Sequence, residues 1–343
     1  MKKGIETLHA HTRSSDGELT HLETLNACKK YGISVVAFTD HDTVPDKKVI
    51  RVLRQNMNHE TKWIIGVEIS SNLPKELGGK SVSNFHIVGL FVDPTNSRLV
   101  DYCKKAKEAR IERLLMMVKN LKSLGFDISA DDCLRLSGRE AVGRPHIAAA
   151  LLKKEKNLKI IEQLTEEMKK AAKTDKRVKK EYEKMIDLGK EEYVYYLLLS
   201  KNAFVKGVYV DYLFGLDMDS VVSIIRNAGG VAIIAHPFFC MEYIDLETLS
   251  EFFKDGRVDG AETVFGLDLY GSSLFNSIEK NRKEIKWLVK RFGVLESGGM
   301  DAHSEEHLSM FGSFKLRPYA EETIGMARRL LNQSGVSREW CSL

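Results

Sequence analysis

The sequence predicts an α/β protein, a layered sheet or barrel of parallel strands interrupted by a long helical insertion. Three observations carry this. The first hundred residues alternate short apolar runs with helical stretches, the same rhythm resumes after Gly229-Gly230, and the segment between them is rich in lysine and glutamate at helical spacing.

In order, Ile5 to Leu8 reads as a strand, His21 to Tyr31 as a helix and Ser34 to Thr39 as a second strand, with further strands at Trp63 to Glu68 and Phe85 to Phe91. From Leu99 to Leu124 the apolar residues Ile111, Leu114, Leu115 and Val118 recur at helical spacing until Gly125 stops the pattern. Lysine and glutamate dominate from Lys153 to about Leu199, interrupted by Tyr182, Met185, Ile186 and the run Tyr193 to Leu199, so this stretch reads as solvated helices. Strands return at Val231 to Ala235, Gly260 to Val264 and Phe292 to Glu296, and Ile324 to Leu331 suggests a last packed helix. The expected organisation is a core of residues 1–98 and 226–343 and a helical insertion of 99–225, extended by 153–199. In such folds chemistry gathers at the strand ends.

The 343 residues are 43% hydrophobic and 29% charged, enough to bury a sizeable core without disulfides or structural metal. No apolar run approaches the roughly 20 residues of a membrane helix. A net charge of +4 is too mild to imply nucleic-acid binding by itself. Five widely spaced cysteines (Cys28, Cys103, Cys133, Cys240, Cys341) form no C-x-x-C pair, and Met1-Lys2-Lys3-Gly4-Ile5 leads into no signal-peptide core. The expectation is a cytoplasmic protein.

The informative residues are His9-x-His11, Asp16, Thr39-Asp40-His41-Asp42, Glu68, His86, His236 and Asp301-x-His303. Residues two apart on an extended strand share a face, so His9 with His11, and Asp301 with His303, can each reach one ion together. Imidazole with carboxylate suits zinc, iron or manganese, and the lack of thiolate partners speaks against a structural zinc site. One such histidine is more often a packing residue; the ordered set is what points to a metal centre.

That set, together with Ala235-His236-Pro237, resembles the PHP family, named for polymerase and histidinol phosphatase, over most of the chain outside the insertion. The resemblance implies a distorted (β/α)7 barrel with an inserted, mainly helical cap, and ligands at the C-terminal strand ends. It implies two or three divalent ions (Mn, Fe or Zn): one on His9, His11, Glu68 and Asp301, a second on Glu68, His86 and His236, a third on Asp16, His41 and His303. Filled ligand positions argue against a degenerate, non-catalytic member. Asp40 and Asp42 are expected behind the ligands, orienting His41 or neighbouring imidazoles, with turn capping as the plainer alternative.

Gly143-Arg144-Pro145-His146-Ile147-Ala148 is similar to a motif of PHP phosphoesterases that act on 3′,5′-bisphosphate nucleotides or short RNA. Arg144 offers a planar fork for phosphate and His146 a further donor, against the plainer reading of a helix start with Pro145 in its first turn. The implied activity is hydrolysis of a nucleotide 3′-phosphate, or 5′-3′ exonuclease action on short RNA, by a hydroxide bridging two metals. The alternatives are histidinol-phosphate or sugar cyclic-phosphate hydrolysis, and a non-catalytic, metal-stabilised module that binds RNA or protein.

Overall fold

β-Branched and aromatic residues bounded by turn formers build the strands of the protein, seen here in a computed structural model that describes residues 4–137, 141–186, 188, 190–211, 214–266, 272–313 and 315–343. They are β1 (Ile5–Thr7), β2 (Ile33–Phe38), β3 (Lys62–Asn72), β4 (Ser81–Leu90), β5 (Leu216–Asp217), β6 (Val231–Ile234), β7 (Gly260–Val264) and β8 (Leu295–Gly298). One mixed sheet runs β1-β2-β3-β4-β6-β7-β8, with β5 pairing β3. Val36, Ala37, Phe38, Ile64 and Ile65 are buried in near-continuous apolar runs, as strands covered on both faces require. At the ends of this order, Leu8 N–H donates to the Gly298 carbonyl at 3.1 Å and Ala10 bridges Ala302.

The all-parallel expectation fails at β4, which is antiparallel to both β3 and β6. Residues 73–80 are the cause: they hold only a 3-10 turn at Lys75–Leu77, and a parallel return needs a crossover of about a dozen residues or more. The strand expected from Phe292 also starts later. The helix Ser272–Phe292 runs through that position, Gly293 ends it with a left-handed φ of 65°, and β8 begins at Leu295.

The chain divides into two units, Met1–Lys105 with Gly215–Leu343, and Ala106–Phe214. The first contains the sheet. Its helix His21–Lys30 is started by Thr20, whose hydroxyl accepts from Glu23 N–H while Glu23 accepts from Thr20 N–H. The second unit is helical and has its own core, which includes Leu114, Leu121, Leu151, Met168, Met185 and Leu197. Its lysine- and glutamate-rich helices Glu155–Ala171 and Lys176–Ile186 turn Ile161, Met168, Val178 and Met185 inward, so the charged residues cover a stripe that is apolar. The five cysteines are free. Among the described residues, no helix is long and apolar enough to cross a membrane.

Candidate metal centre

The strands deliver their polar residues to one place. His9 and His11 follow β1, His41 follows β2, Glu68 lies in β3 and His86 in β4; His236 follows β6, and Asp301 and His303 follow β8. Glu68 bridges to His41 in register and Ala10 to Ala302, which draws these loops together. Gly299 lets β8 come close, because a Cβ there would sit 2.7 Å from His9 N. Three of the non-glycine residues with left-handed φ are here: Asp42 (51°), His236 (29°) and Asp301 (54°). Such conformations cost about 1–3 kcal/mol each and persist where the surrounding structure over-determines them.

Glu68 is the hub. Its Oε2 lies 3.2 Å from His9 Nε2, 3.2 Å from His11 Nε2 and 3.0 Å from His41 Nδ1, and its Oε1 lies 2.8 Å from His86 Nδ1 and 3.2 Å from His236 Nε2. Asp301 Oδ1 stands 3.3 Å from His9 Nε2 and 3.0 Å from His11 Nε2. Asp16 faces His303 Nε2 at 3.4 Å, His11 Nδ1 at 3.6 Å and His41 Nε2 at 3.7 Å.

Among the described residues, three sets have donor atoms close enough to share an ion: His9, His11, Glu68 and Asp301; His41, Glu68 and His86; and His11, Asp16, His41 and His303. The sets overlap more than expected. His41 stands with Glu68 and His86 as well as with Asp16, His11 belongs to two sets, and His236 meets the group through Glu68 Oε1.

These residues fit divalent cations. His9 Nε2, His11 Nε2, Asp16 Oδ1, His41 Nδ1, Glu68 Oε2 and Asp301 Oδ1 are buried without a properly directed hydrogen bond, although several approach one another within 3.3 Å. Leaving a buried polar atom unsatisfied costs about 1–3 kcal/mol, and a cation at the centre of such a set satisfies all its donors at once. Electrostatics agree. Burial alone would lower His11, but Asp301, Glu68 and Asp16 outweigh it and hold its pKa at about 10, whereas burial takes His41 down to about 4. Burial would raise Glu68 and Asp16, yet the surrounding imidazoles hold both well below the usual carboxylate range.

Behind the donors sits Glu262, a residue that sequence reasoning missed. Fully buried in β7, it places Oε1 3.0 Å from His9 Nδ1 and accepts from His236 N–H through Oε2 at 2.8 Å. A His9 that gives its Nδ1 hydrogen to Glu262 turns the Nε2 lone pair toward Glu68 and Asp301. The only signal in the sequence was a lone acid in the otherwise uncharged strand Gly260-Ala261-Glu262-Thr263-Val264.

Asp40 and Asp42 do not reach His41, although Asp40 Oδ2 stands 3.8 Å from the Nε2 of another imidazole, His21. Both ring nitrogens of His41 face Glu68 and Asp16, which leaves neither for its chain neighbours. Asp40 instead accepts from Thr12 N–H (2.7 Å), Thr12 Oγ1 (2.8 Å) and Ser15 Oγ (2.7 Å), ordering the loop between His11 and Asp16. Asp42 accepts from Tyr102 Oη at 2.6 Å and Ser70 N–H at 3.0 Å, clamping β3 two residues beyond Glu68.

Arg144 and His146 lie in the second unit, at the start of the helix Arg144–Leu152. His146 Nδ1 accepts from Gly143 N–H at 2.9 Å, so the ring is a helix cap whose hydrogen sits on Nε2, not a doubly protonated donor. Arg144 Nη1 donates to the Leu199 carbonyl at 3.4 Å and its guanidinium lies 5.8 Å from the Tyr195 ring centre. It lines a cavity with Arg110, Arg113, Met117, Val142 and Gly143. Arg113 was also missed. Burial, then the like charges of Arg144 and Arg110, bring its pKa down to about 10, still cationic at neutral pH. Arg226, in the first unit, is engaged by Asp259 at 2.8 Å.

Comparison with known proteins places the chain in a family. The PHP domain model matches residues 7–213, a span that holds His9 through His86 and the arginine cavity, while His236, Asp301 and His303 follow it. A 5′-3′ exoribonuclease of Haemophilus influenzae is 28% identical over 67% of this chain and 68% of its own. A 3′,5′-nucleoside bisphosphate phosphatase of Chromobacterium violaceum is 26% identical over 87% of this chain and 86% of its own. A solved structure from Bifidobacterium adolescentis, assigned as a metal-dependent phosphoesterase, shares the fold with a TM-score of 0.65 at 22% identity over 96% of both chains. With a family model covering more than half its length, the chain belongs to the PHP domain family.

Proposed function

We propose that the protein is a metal-dependent phosphoesterase acting on nucleotides or short RNA, as a 3′,5′-bisphosphate phosphatase or a 5′-3′ exonuclease. The observation that carries this reading is the convergence of overlapping imidazole and carboxylate sets on the single buried carboxylate of Glu68. In this reading the sheet is a distorted seven-strand barrel, the helical unit is its cap, and the centre takes two or three ions of Mn, Fe or Zn. Held by His9, His11, Asp16, His41, Glu68, His86, His236, Asp301 and His303, such ions supply a nucleophile at neutral pH and neutralise charge on the phosphoryl oxygens.

The rest falls to the chain. Glu262 holds His9 in the tautomer that presents Nε2, and the Asp301 carbonyl, 3.0 Å from His303 Nδ1, does the same for His303 Nε2. His9, His11 and Glu68 are shut off from solvent, while Asp16, His41, His86, Asp301 and His303 are half-buried and form the side open to substrate. Arg110, Arg113 and Arg144 give an anion a cationic, partly desolvated seat in the second unit.

The test is a phosphoester panel on protein of measured metal content: 3′,5′-bisphosphoadenosine, 5′-phosphorylated oligoribonucleotides, cyclic sugar phosphates and histidinol phosphate. Release of phosphate or mononucleotide from the first two, lost on His41→Ala, is expected. Turnover of only the small esters moves the substrate assignment, and no turnover of any of them refutes the proposal.

A further inference from the structure

The helix Ser272–Phe292 carries six basic and two acidic residues. It divides them sharply between its faces. Ile278, Ile285, Leu288 and Val289 are buried, and Arg282 and Lys286 are spent on Glu279, Glu296 and Glu322. The outer face is Lys280, Lys283, Trp287, Lys290 and Arg291, all exposed, with the half-buried Glu284 at its edge. At 100° per residue these five fall within one stripe about 100° wide and about 16 Å long.

Among the described residues Trp287 is the most exposed large apolar side chain, at 57%, while Trp63 and Trp340 are buried at 1% and 9%. Arg291 lies over its ring at 4.9 Å. Lys283 pairs with Glu279 at 3.4 Å, whereas among the described residues no carboxylate pairs Lys280, Lys290 or Arg291. Among the described residues, the one ion pair made by this face is that of Lys283 with Glu279. The helix itself, through Asn281 on another side, reaches the segment after His236: Asn281 Nδ2 donates to the Phe238 carbonyl at 3.4 Å.

We infer that this stripe is a docking surface for single-stranded RNA, with Trp287 as a stacking platform and Lys280, Lys283, Lys290 and Arg291 along the phosphates. Sites for single strands combine those two elements, since every base has a face to stack and every linkage a charge to track. A membrane surface is the poorer match. A membrane-seeking helix presents a broad apolar face, and the apolar face here is buried in the fold, leaving one ring among four cations. The inference relies on the phosphoesterase reading only for the class of strand. It adds a holding surface for chains longer than a mononucleotide.

The experiment uses the full-length, metal-loaded protein and a short phosphorothioate oligouridylate, which resists cleavage. Binding is followed by fluorescence anisotropy and by tryptophan quenching, which reports the exposed Trp287 selectively. Trp287→Ala is expected to weaken binding by between about five- and a hundredfold, the range for loss of a stacking side chain. Lys283→Glu with Lys290→Glu is expected to weaken binding and flatten its salt dependence. Both variants should keep the wild-type kcat and KM on 3′,5′-bisphosphoadenosine, and since the side chains are exposed, both should keep the wild-type melting temperature.

Unchanged oligonucleotide binding in both variants overturns the inference. So does a loss confined to binding of phosphatidylserine vesicles, or a dimer that dissociates on Trp287→Ala while RNA binding is untouched. If no phosphoester is hydrolysed but oligonucleotide binding still depends on the stripe, the surface stands and the phosphoesterase reading falls.

Discussion

Glu262→Gln changes one atom and tests the tautomer argument directly. The carboxylate accepts on both sides, from His9 Nδ1 at 3.0 Å and from His236 N–H at 2.8 Å, in a place with no water access. An amide cannot do both. If its oxygen stays on His236 N–H, its NH2 meets His9 Nδ1, the imidazole hydrogen moves to Nε2, and the lone pair aimed at Glu68 and Asp301 is lost. If the amide turns over, NH2 opposes N–H, and the donor-donor clash displaces the His236 backbone, already strained at φ 29°. Removing such a partner lowers metal affinity about 10–100-fold, or about 1.4–2.8 kcal/mol at 1.4 kcal/mol per tenfold. The assay is competition against a chelator of known affinity, with metal content measured in parallel. Affinity within twofold of wild type, at unchanged stability, refutes the argument that Glu262 sets the His9 tautomer.

Three further outcomes are expected. Stripping the metals should lower the melting temperature by about 5 °C or more in calorimetry, since a ligand at a hundredfold its Kd contributes about 2.7 kcal/mol; an unchanged transition would mean that the buried donors are satisfied without ions. Metal binding should release protons and tighten with rising pH. His11 is held at about 10, so in the metal-free protein its stabilising charge is complete below its unfolded pKa of about 6.5 and lost as pH rises through 10, where an ion no longer competes with a proton. Titration calorimetry in two buffers of different ionisation heat counts those protons, and a count of zero contradicts the assignment. Arg113→Ala and Arg144→Ala should each raise KM for 3′,5′-bisphosphoadenosine about 10–100-fold with a smaller change in kcat, the loss of one hydrogen bond to a charged group. Unaltered KM in both would remove the cavity from substrate binding.

Much of the centre was legible because its residues are paired along strands. Alternation puts His9 with His11 in one donor set, but it fails for Asp301 and His303, which lie beyond β8, where Asp301 takes a left-handed φ of 54°, and which fall in different sets. What was hidden depends on contacts between distant segments. Glu262 has no spacing partner, and its role exists only because β7 brings it to His9. Asp40 and Asp42 were read as imidazole partners because they flank His41, but a side chain's chain neighbours point elsewhere, and here they reach Thr12, Ser15, Ser70 and Tyr102. Arg110 and Arg113 are one helical turn apart and signal only a polar helix face until Arg144 joins them. The antiparallel β4 could have been read from the short link 73–80, whereas the continuation of the helix to Phe292 could not, since Trp287-Leu288-Val289 suits either structure.

The order of the donors along the chain sets a timetable. His9, His11, Asp16, His41, Glu68 and His86 precede the helical unit, and His236, Asp301 and His303 follow it. At about 5–20 residues per second, a ribosome needs roughly 10–40 seconds to travel from His86 to His303. Throughout that interval the nascent chain exposes an incomplete donor set that can capture any available cation but has no Asp301 or His303 to close around it. An ion held before His236, Asp301 and His303 emerge lacks those donors, so the full set can discriminate among metals only after His303 has been made.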